Sequence, residues 1–334
     1  MYTMTRKSLT KKLDKKLNIE AATKATSALI LEIFENSPKS IKHITSHLAD
    51  AQGKGVRTEL LLASSMDAEG LVPKEAVEAA ASTEIFHLAT LVHDDIIDDA
   101  HIRRGIESIQ SKFGKKQAVI CGDYLFCMAF SSIAEVYKPY TDFMPKFAAQ
   151  ISKICLGELE QYSNNFNLDI TFYDYLKTIN GKTAALFNIS AHAGALIGGS
   201  SEKEIKNIAR FGSYFGMIFQ ILDDCKDYKL NESEALKPTK NDINSGVINL
   251  PLLMSFLKED ELRQKAKYII KNGVEINSFI EDIDRLGGVQ SSVDIAKKYN
   301  LKAKKLLNQM GSTPKTQELG KLLNNQLIIM DKFR

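Results

Sequence analysis

The sequence predicts an all-α protein, a single-domain helical bundle, and three observations carry that expectation. Apolar residues recur at three- and four-residue steps over most of the chain. No stretch alternates with period two between turn signals, so no sheet is expected. The breaks between periodic segments are short. With 334 residues, 44% hydrophobic and 25% charged, the chain has material for a sizeable core. That composition excludes a disordered or fibrous protein.

The elements follow in order. Leu9, Leu13 and Leu17 alternate with Lys11, Lys12, Lys15 and Lys16. This spacing predicts a short basic amphipathic helix, packed on the body or, at most, touching an anionic membrane surface peripherally. Residues 1–20 are therefore read as a basic N-terminal helix or tail, and 21–334 as the main domain. Helical spacing then covers 21–34, 41–51 and 56–66. Gly70 breaks the pattern, and Pro73 suits the first turn of a long helix over 73–99. Further helices are expected over 118–136, 143–166, 171–197 and 202–227. The polar stretch 230–249, with Pro238 and Gly246, reads as a loop before apolar helices resume at Leu250. No period of 20 to 50 residues marks a solenoid.

The net charge of +3 is too small and too evenly spread to indicate nucleic acid, and it suits an anionic small substrate equally well. Cys121, Cys127, Cys155 and Cys225 show no CxxC spacing and read as reduced core thiols. The start lacks the pattern of a signal peptide, and no apolar run reaches the ~18 residues of a membrane span. A cytoplasmic protein is expected.

The main chemical signal is Asp94-Asp95-Ile96-Ile97-Asp98, echoed by Asp223-Asp224-Cys225-Lys226-Asp227. Each closes an apolar helix. At 100° per residue, positions i, i+1 and i+4 fall within an arc of about 100°, so each trio is expected to project to one side. Three carboxylates at a helix C-terminus repel one another and oppose the dipole, an arrangement that a cation offsets. Oxygen-only donors favour a hard ion such as Mg²⁺, which takes one or two carboxylates plus substrate phosphates. One copy reads equally as a solvated helix end. Two copies suggest facing acidic walls that clamp a diphosphate through several metal ions.

Cations accompany these clusters. Arg103-Arg104-Gly105 follows the first; adjacent arginines point apart and could serve two anions. Gly181-Lys182-Thr183 interrupts an apolar helix. Leu176 stands where a Walker A loop needs glycine, and no strand precedes it, which argues against an ATPase. Gly53-Lys54-Gly55-Val56-Arg57 opens another helix, whose backbone amides add an anion site. His87 lies two turns before Asp94 on the same face, either as a core histidine or as part of the site. His93 reads as core.

Taken together, these residues resemble the trans-isoprenyl diphosphate synthase family, the head-to-tail polyprenyl synthetases of medium- and long-chain type. The resemblance runs from about residue 21 onward. It rests on GKGVR (53–57), LVHDDIIDDAHIRRG (91–105), GELEQ (157–161), GKTAALF (181–187), FQILDDCKDY (219–228) and KPTKND (237–242). It implies the isoprenoid synthase fold, helices around a central cavity. It also implies roles: Asp94, Asp95 and Asp98 holding two Mg²⁺ ions on an allylic diphosphate, and Asp223, supported by Asp224 and Asp227, holding a third. Arg103, Lys182 and Lys237 would bind the same diphosphate, and Lys54, Arg57, His87 and Arg104 isopentenyl diphosphate. Thr183 and Gln220 would line the reacting centre. The family is usually dimeric, so a homodimer is expected, or a heterodimer with a small regulatory subunit.

Two departures stand out. Val247 replaces a usual lysine, and Gly55 and Thr58 replace residues of a usual GKRxRP. Weaker allylic binding is expected, unless Lys240 compensates. Product length is governed by small Ala89 and Thr90, which leave a chain-length tunnel open. Its floor would lie at Phe86 or at Tyr124 and Phe126, which read equally as ordinary core. Related short-chain enzymes carry an aromatic near here; small residues set the floor deeper, so a product of around thirty carbons or more is expected. The alternatives are a short-chain synthase of fifteen to twenty carbons, or a catalytic subunit needing a small partner. A non-catalytic subunit, a helical metal phosphohydrolase and a terpene cyclase each leave part of the charged set unexplained.

Overall fold

The computed structural model describes residues 16–49, 53, 55–228, 245–272 and 276–333. The basic segment is therefore outside the described residues up to position 15, as are Lys54, Lys237 and Lys240. Helices dominate as the periodicity requires. The chain divides into two compact units: residues 1–146, 190–208 and 312–319, and residues 147–189, 209–311 and 320–334.

In the first unit, α1 (Ile19–Glu35), α2 (Lys39–Ala49) and α3 (Val56–Ser65) lead to the long α4 (Lys74–Ile97). Asn18 caps α1 by accepting from the Ala21 amide at 2.8 Å. Lys16, from the basic start, donates to Asp67 at 2.7 Å, and Leu17 pairs with Val72. α4 is buried nearly all round, with Ala76, Val77, Ala79, Ala80 and Ala81 at 1% exposure or less. Small alanines let α1, α3 and α6 (Lys115–Val136) approach it closely. By length and composition α6 could span a membrane, against the expectation of no such run. It lies alongside α4, and its stripe Ala118, Cys121, Leu125, Ala129 and Ile133 is buried.

A small antiparallel hairpin, which the sequence did not predict, joins these helices: β1 (Ile102–Arg103) pairs with β2 (Ile106–Glu107). Its two-residue turn has Arg104 at φ 52° and Gly105 at φ 84°. Those positive angles match the twist of a tight hairpin, and Gly105 supplies one of them without strain. Strands of two residues are too short for any alternation to show. Helix α5 (Ile109–Phe113), capped by Ser108, then leads into α6.

The second unit takes residues 147 onward of α7 (Phe143–Asn164), then α8 (Phe172–Ile179), which Thr171 and Asp174 start with a capping box. The single helix expected over 171–197 is broken. A π-helical segment, Asn180–Ala184, separates α8 from α9 (Ala185–Ile197). Helix α10 (Glu202–Lys226) carries the second aspartate cluster at its end. Helices α11 (Leu250–Phe256), α12 (Glu261–Asn272), α13 (Ile276–Arg285), α14 (Gly288–Met310) and α15 (Pro314–Asp331) complete the chain. The cysteine expectation holds for buried Cys121 and Cys225 and fails for exposed Cys127 and Cys155. Six residues on from Cys121 is about 240° round the helix, away from its buried stripe.

Candidate active site

Each aspartate cluster closes its helix, as expected: Asp98 caps α4, and Asp223 and Asp224 lie in the last turn of α10. The trios do not, however, project together to one side. In both, the second carboxylate turns inward: Asp95 is 3% exposed and Asp224 6%. Asp98 and Asp223 are exposed, and Asp94 and Asp227 are half-buried. The reason lies in what waits one step round each helix, a donor that draws the carboxylate in.

For Asp95 that donor is Arg103, whose Nε donates at 2.6 Å and whose guanidinium forms an ion pair with the same oxygen. Burial nonetheless outweighs this pairing and raises the Asp95 carboxyl above its usual value. Gln110 donates to the Asp95 backbone carbonyl at 2.8 Å and ties α5 to the cluster. Arg104 goes elsewhere, as adjacent arginines on a hairpin should. A Cβ on Gly53 would stand 2.5 Å from the Arg104 guanidinium carbon, so the glycine is what lets the cation lie there.

Arg57 and His87 meet at 3.1 Å, Nη1 to Nε2. A guanidinium can only donate, so His87 Nε2 accepts and the ring proton sits on Nδ1, 3.4 Å from the Thr90 hydroxyl. Thr90 in turn donates to the His87 carbonyl at 2.7 Å. Burial, then Arg57, Arg104 and Arg103, push the imidazolium well below its usual range. His87 is thus neutral and orients Arg57 rather than adding charge. Glu84, three residues earlier on the same face, escaped the sequence reading; it is 9% exposed. Burial raises its carboxyl, opposed by Arg57 and Arg104. Its only sequence signal is a charged residue inside an apolar helix.

In the second unit, the π segment presents Lys182 and Thr183. A Cβ on Gly157 of α7 would collide with the Lys182 backbone nitrogen, and one on Gly181 would stand 2.9 Å from the Lys153 carbonyl. Glycines at this crossing let α7 and the widened turn touch backbone to backbone. Lys182 pairs with Glu158 at 2.9 Å. Thr183 donates to Gln220 Oε1 at 2.6 Å, and Gln220 Nε2 donates to Asp224 Oδ1 at 2.7 Å. The Tyr175 hydroxyl donates to Asp224 Oδ2 at 2.6 Å. Burial, then the Asp224 charge, push the Tyr175 phenol well above its usual value, so it stays protonated. Tyr175 and Glu158 were not singled out from the sequence, because nothing local links Tyr175 to a residue 49 positions away.

Among the described residues, no three His, Cys, Asp or Glu side chains converge to hold a metal by themselves. The more open carboxylates come in ones and twos. That donor number and its all-oxygen chemistry fit Mg²⁺, which keeps most of its sphere for water and phosphate.

Of the tunnel residues, Phe86 and Ala89 are buried at 1% and 0%. Phe126 lies 4.9 Å from Phe86 and 5.3 Å from His93, ring centre to ring centre. Phe86 and His93 stand two turns apart, so Phe126 spans the face holding Ala89 and Thr90. Phe130, missed from the sequence, completes the group at 5.9 Å from Phe86. Tyr124 is half-buried on the same helix.

Residues 38–283 match the family described as polyprenyl synthetase. The chain is 33% identical over 266 residues to heptaprenyl diphosphate synthase component 2 of Bacillus subtilis (strain 168), covering 79% of this chain and 75% of that protein. It is 32% identical over 300 residues to geranylgeranyl diphosphate synthase of Saccharolobus solfataricus, covering 86% and 90%. Among solved structures, heptaprenyl diphosphate synthase from Staphylococcus aureus superposes with a TM-score of 0.85 at 28% identity, covering 93% of this chain and 98% of that one.

Proposed function

The chain belongs to the polyprenyl synthetase family and is a trans-prenyltransferase, and on that premise we propose that it condenses isopentenyl diphosphate with an allylic diphosphate, using Mg²⁺. The observation that carries this reading is the shared plan of the two clusters. In each, the second aspartate is held inward by hydrogen bonds while the first and fifth remain more open. Asp94, Asp98 and Asp223 would hold the metal, with Asp227 in support. Bound Mg²⁺ neutralises charge developing on the leaving diphosphate.

The chain's own groups do the rest. Arg103, Lys182 and Lys237 bind the allylic diphosphate; Lys54, Arg57 and Arg104 bind isopentenyl diphosphate, with neutral His87 turning Arg57. The allylic C–O bond ionises, the isopentenyl double bond attacks the allylic cation, and loss of a proton leaves a product five carbons longer. The released diphosphate accepts that proton. Holding both substrates side by side supplies much of the rate, because it removes the entropy cost of encounter.

The product has around thirty carbons or more, grown into an apolar pocket below the first aspartate cluster. Small Ala89 and Thr90 support this, as do relatives named heptaprenyl diphosphate synthase. Incubating purified protein with farnesyl diphosphate and labelled isopentenyl diphosphate tests it; arrest at fifteen or twenty carbons overturns it. Phe126→Ala opens the face over Ala89 and is expected to lengthen the main product by at least one isoprene unit, read by chromatography.

The working form is a dimer. Leu156, Leu159 and Tyr162 of α7 are exposed by 57%, 62% and 71%, and their three-residue helical steps set them along one side. A homodimer gives activity with the pure chain alone. Activity only after adding a second, small subunit supports the heteromeric arrangement that the name "component 2" of two relatives suggests.

A further inference from the structure

The line of hydrogen bonds through Asp224 has a direction, and the direction follows from chemistry alone. A carboxylate only accepts, so Gln220 must turn its amide nitrogen toward Asp224. Its carbonyl oxygen then faces Thr183, and Thr183 must donate its one hydroxyl proton there. What Thr183 has left to offer is oxygen lone pairs, the negative end of its dipole. Tyr175, held protonated, can only donate to the other carboxylate oxygen and so keeps Asp224 facing this way. Tyr175, Asp224 and Thr183 are all buried, at 4%, 6% and 5%, where water does not scramble such an arrangement.

We infer that Tyr175 is a positioning residue: it holds Asp224 in place, and Asp224, through Gln220, sets the sign of the dipole that Thr183 presents to the developing allylic cation. This rests on the proposed placement of Thr183 at the reacting centre. It assigns Asp224 to orientation, not to metal binding. The neighbouring Asp223, exposed and, among the described residues, paired with Lys226 on the same surface at 2.7 Å, keeps the metal role.

The test is a double-mutant cycle in the full-length protein with farnesyl and isopentenyl diphosphates. Tyr175→Phe removes one hydroxyl and leaves the ring. It is expected to lower kcat about tenfold with KM for isopentenyl diphosphate within about twofold of wild type. Thr183→Ala lowers kcat by itself, and the double variant falls no further than Thr183→Ala. Multiplying effects, or a change confined to KM, overturn the relay while leaving Thr183 at the reacting centre. An unchanged kcat in Thr183→Ala removes the reacting-centre assignment and the relay with it. Should Tyr175→Phe fail to fold, Asp224→Asn takes its place. An asparagine can donate to Gln220 and reverse the line, so the same loss and the same non-additivity are expected. Calorimetric Mg²⁺ binding in the presence of inorganic diphosphate should stay at its wild-type value in Asp224→Asn and weaken in Asp223→Asn. Equal weakening in both places Asp224 among the metal ligands and overturns the assignment.

Discussion

Asp98→Ala and Asp223→Ala are each expected to lower kcat/KM by about 10³-fold, with a higher Mg²⁺ concentration needed for half-maximal rate. Both side chains are exposed at helix C-termini, where a negative charge opposes the dipole. Removing either one relieves repulsion, so the thermal midpoint should stay within about 2 °C of wild type or rise slightly. Asp95→Ala should behave in the opposite way. It removes the hydrogen bond and ion pair that hold Arg103, whose side chain is itself one-third exposed, and is expected to cost roughly 1 kcal/mol of stability. Steady-state kinetics over a Mg²⁺ series, with thermal unfolding of the same three variants, distinguishes the outcomes. Near-normal turnover in Asp98→Ala and Asp223→Ala would remove the metal-ion mechanism.

Gly157→Ala is expected to destabilise the protein by about 2–3 kcal/mol and to lower kcat as well. The added methyl meets backbone, the Lys182 nitrogen and the Gly181 carbonyl carbon, not the flexible end of a side chain. Relief requires α7 or the π segment to shift, and the segment carries Lys182 and Thr183. A fall in thermal midpoint of roughly 3–4 °C is the expected reading for a chain of this size. A midpoint and kcat both at wild-type values would show that the close crossing is not required. The coupling of the two losses is informative, because a π turn at a functional position holds an extra residue that a regular helix would place elsewhere.

Much of this was legible in the residues. Three- and four-residue apolar spacing located most helices, since a helix buries one face and that face repeats every 3.6 residues. Where the reading fell short, the missing information was geometric. The run 171–197 has helical spacing throughout, and nothing in it announces that 180–184 winds one residue wider. The hairpin at 102–107 has two-residue strands, below the length at which alternation can be seen. His87 was recognisable as a candidate, but its neutral state depends on burial and then on Arg57, brought from thirty positions away.

Residue spacing and type alone establish the all-helical class, the two acidic helix ends and the cations that follow them, and with these the expectation of an anionic substrate handled with a hard metal ion. Those are local properties, written in spacing and in residue type. Folding was needed to fix which aspartate of each cluster turns inward, that Arg103 and Arg104 part company, and that Tyr175 reaches Asp224. Each of these depends on a partner delivered by another segment and on the loss of water around it. Burial makes an unpartnered polar group costly, and so it dictates the pairing that spacing leaves open.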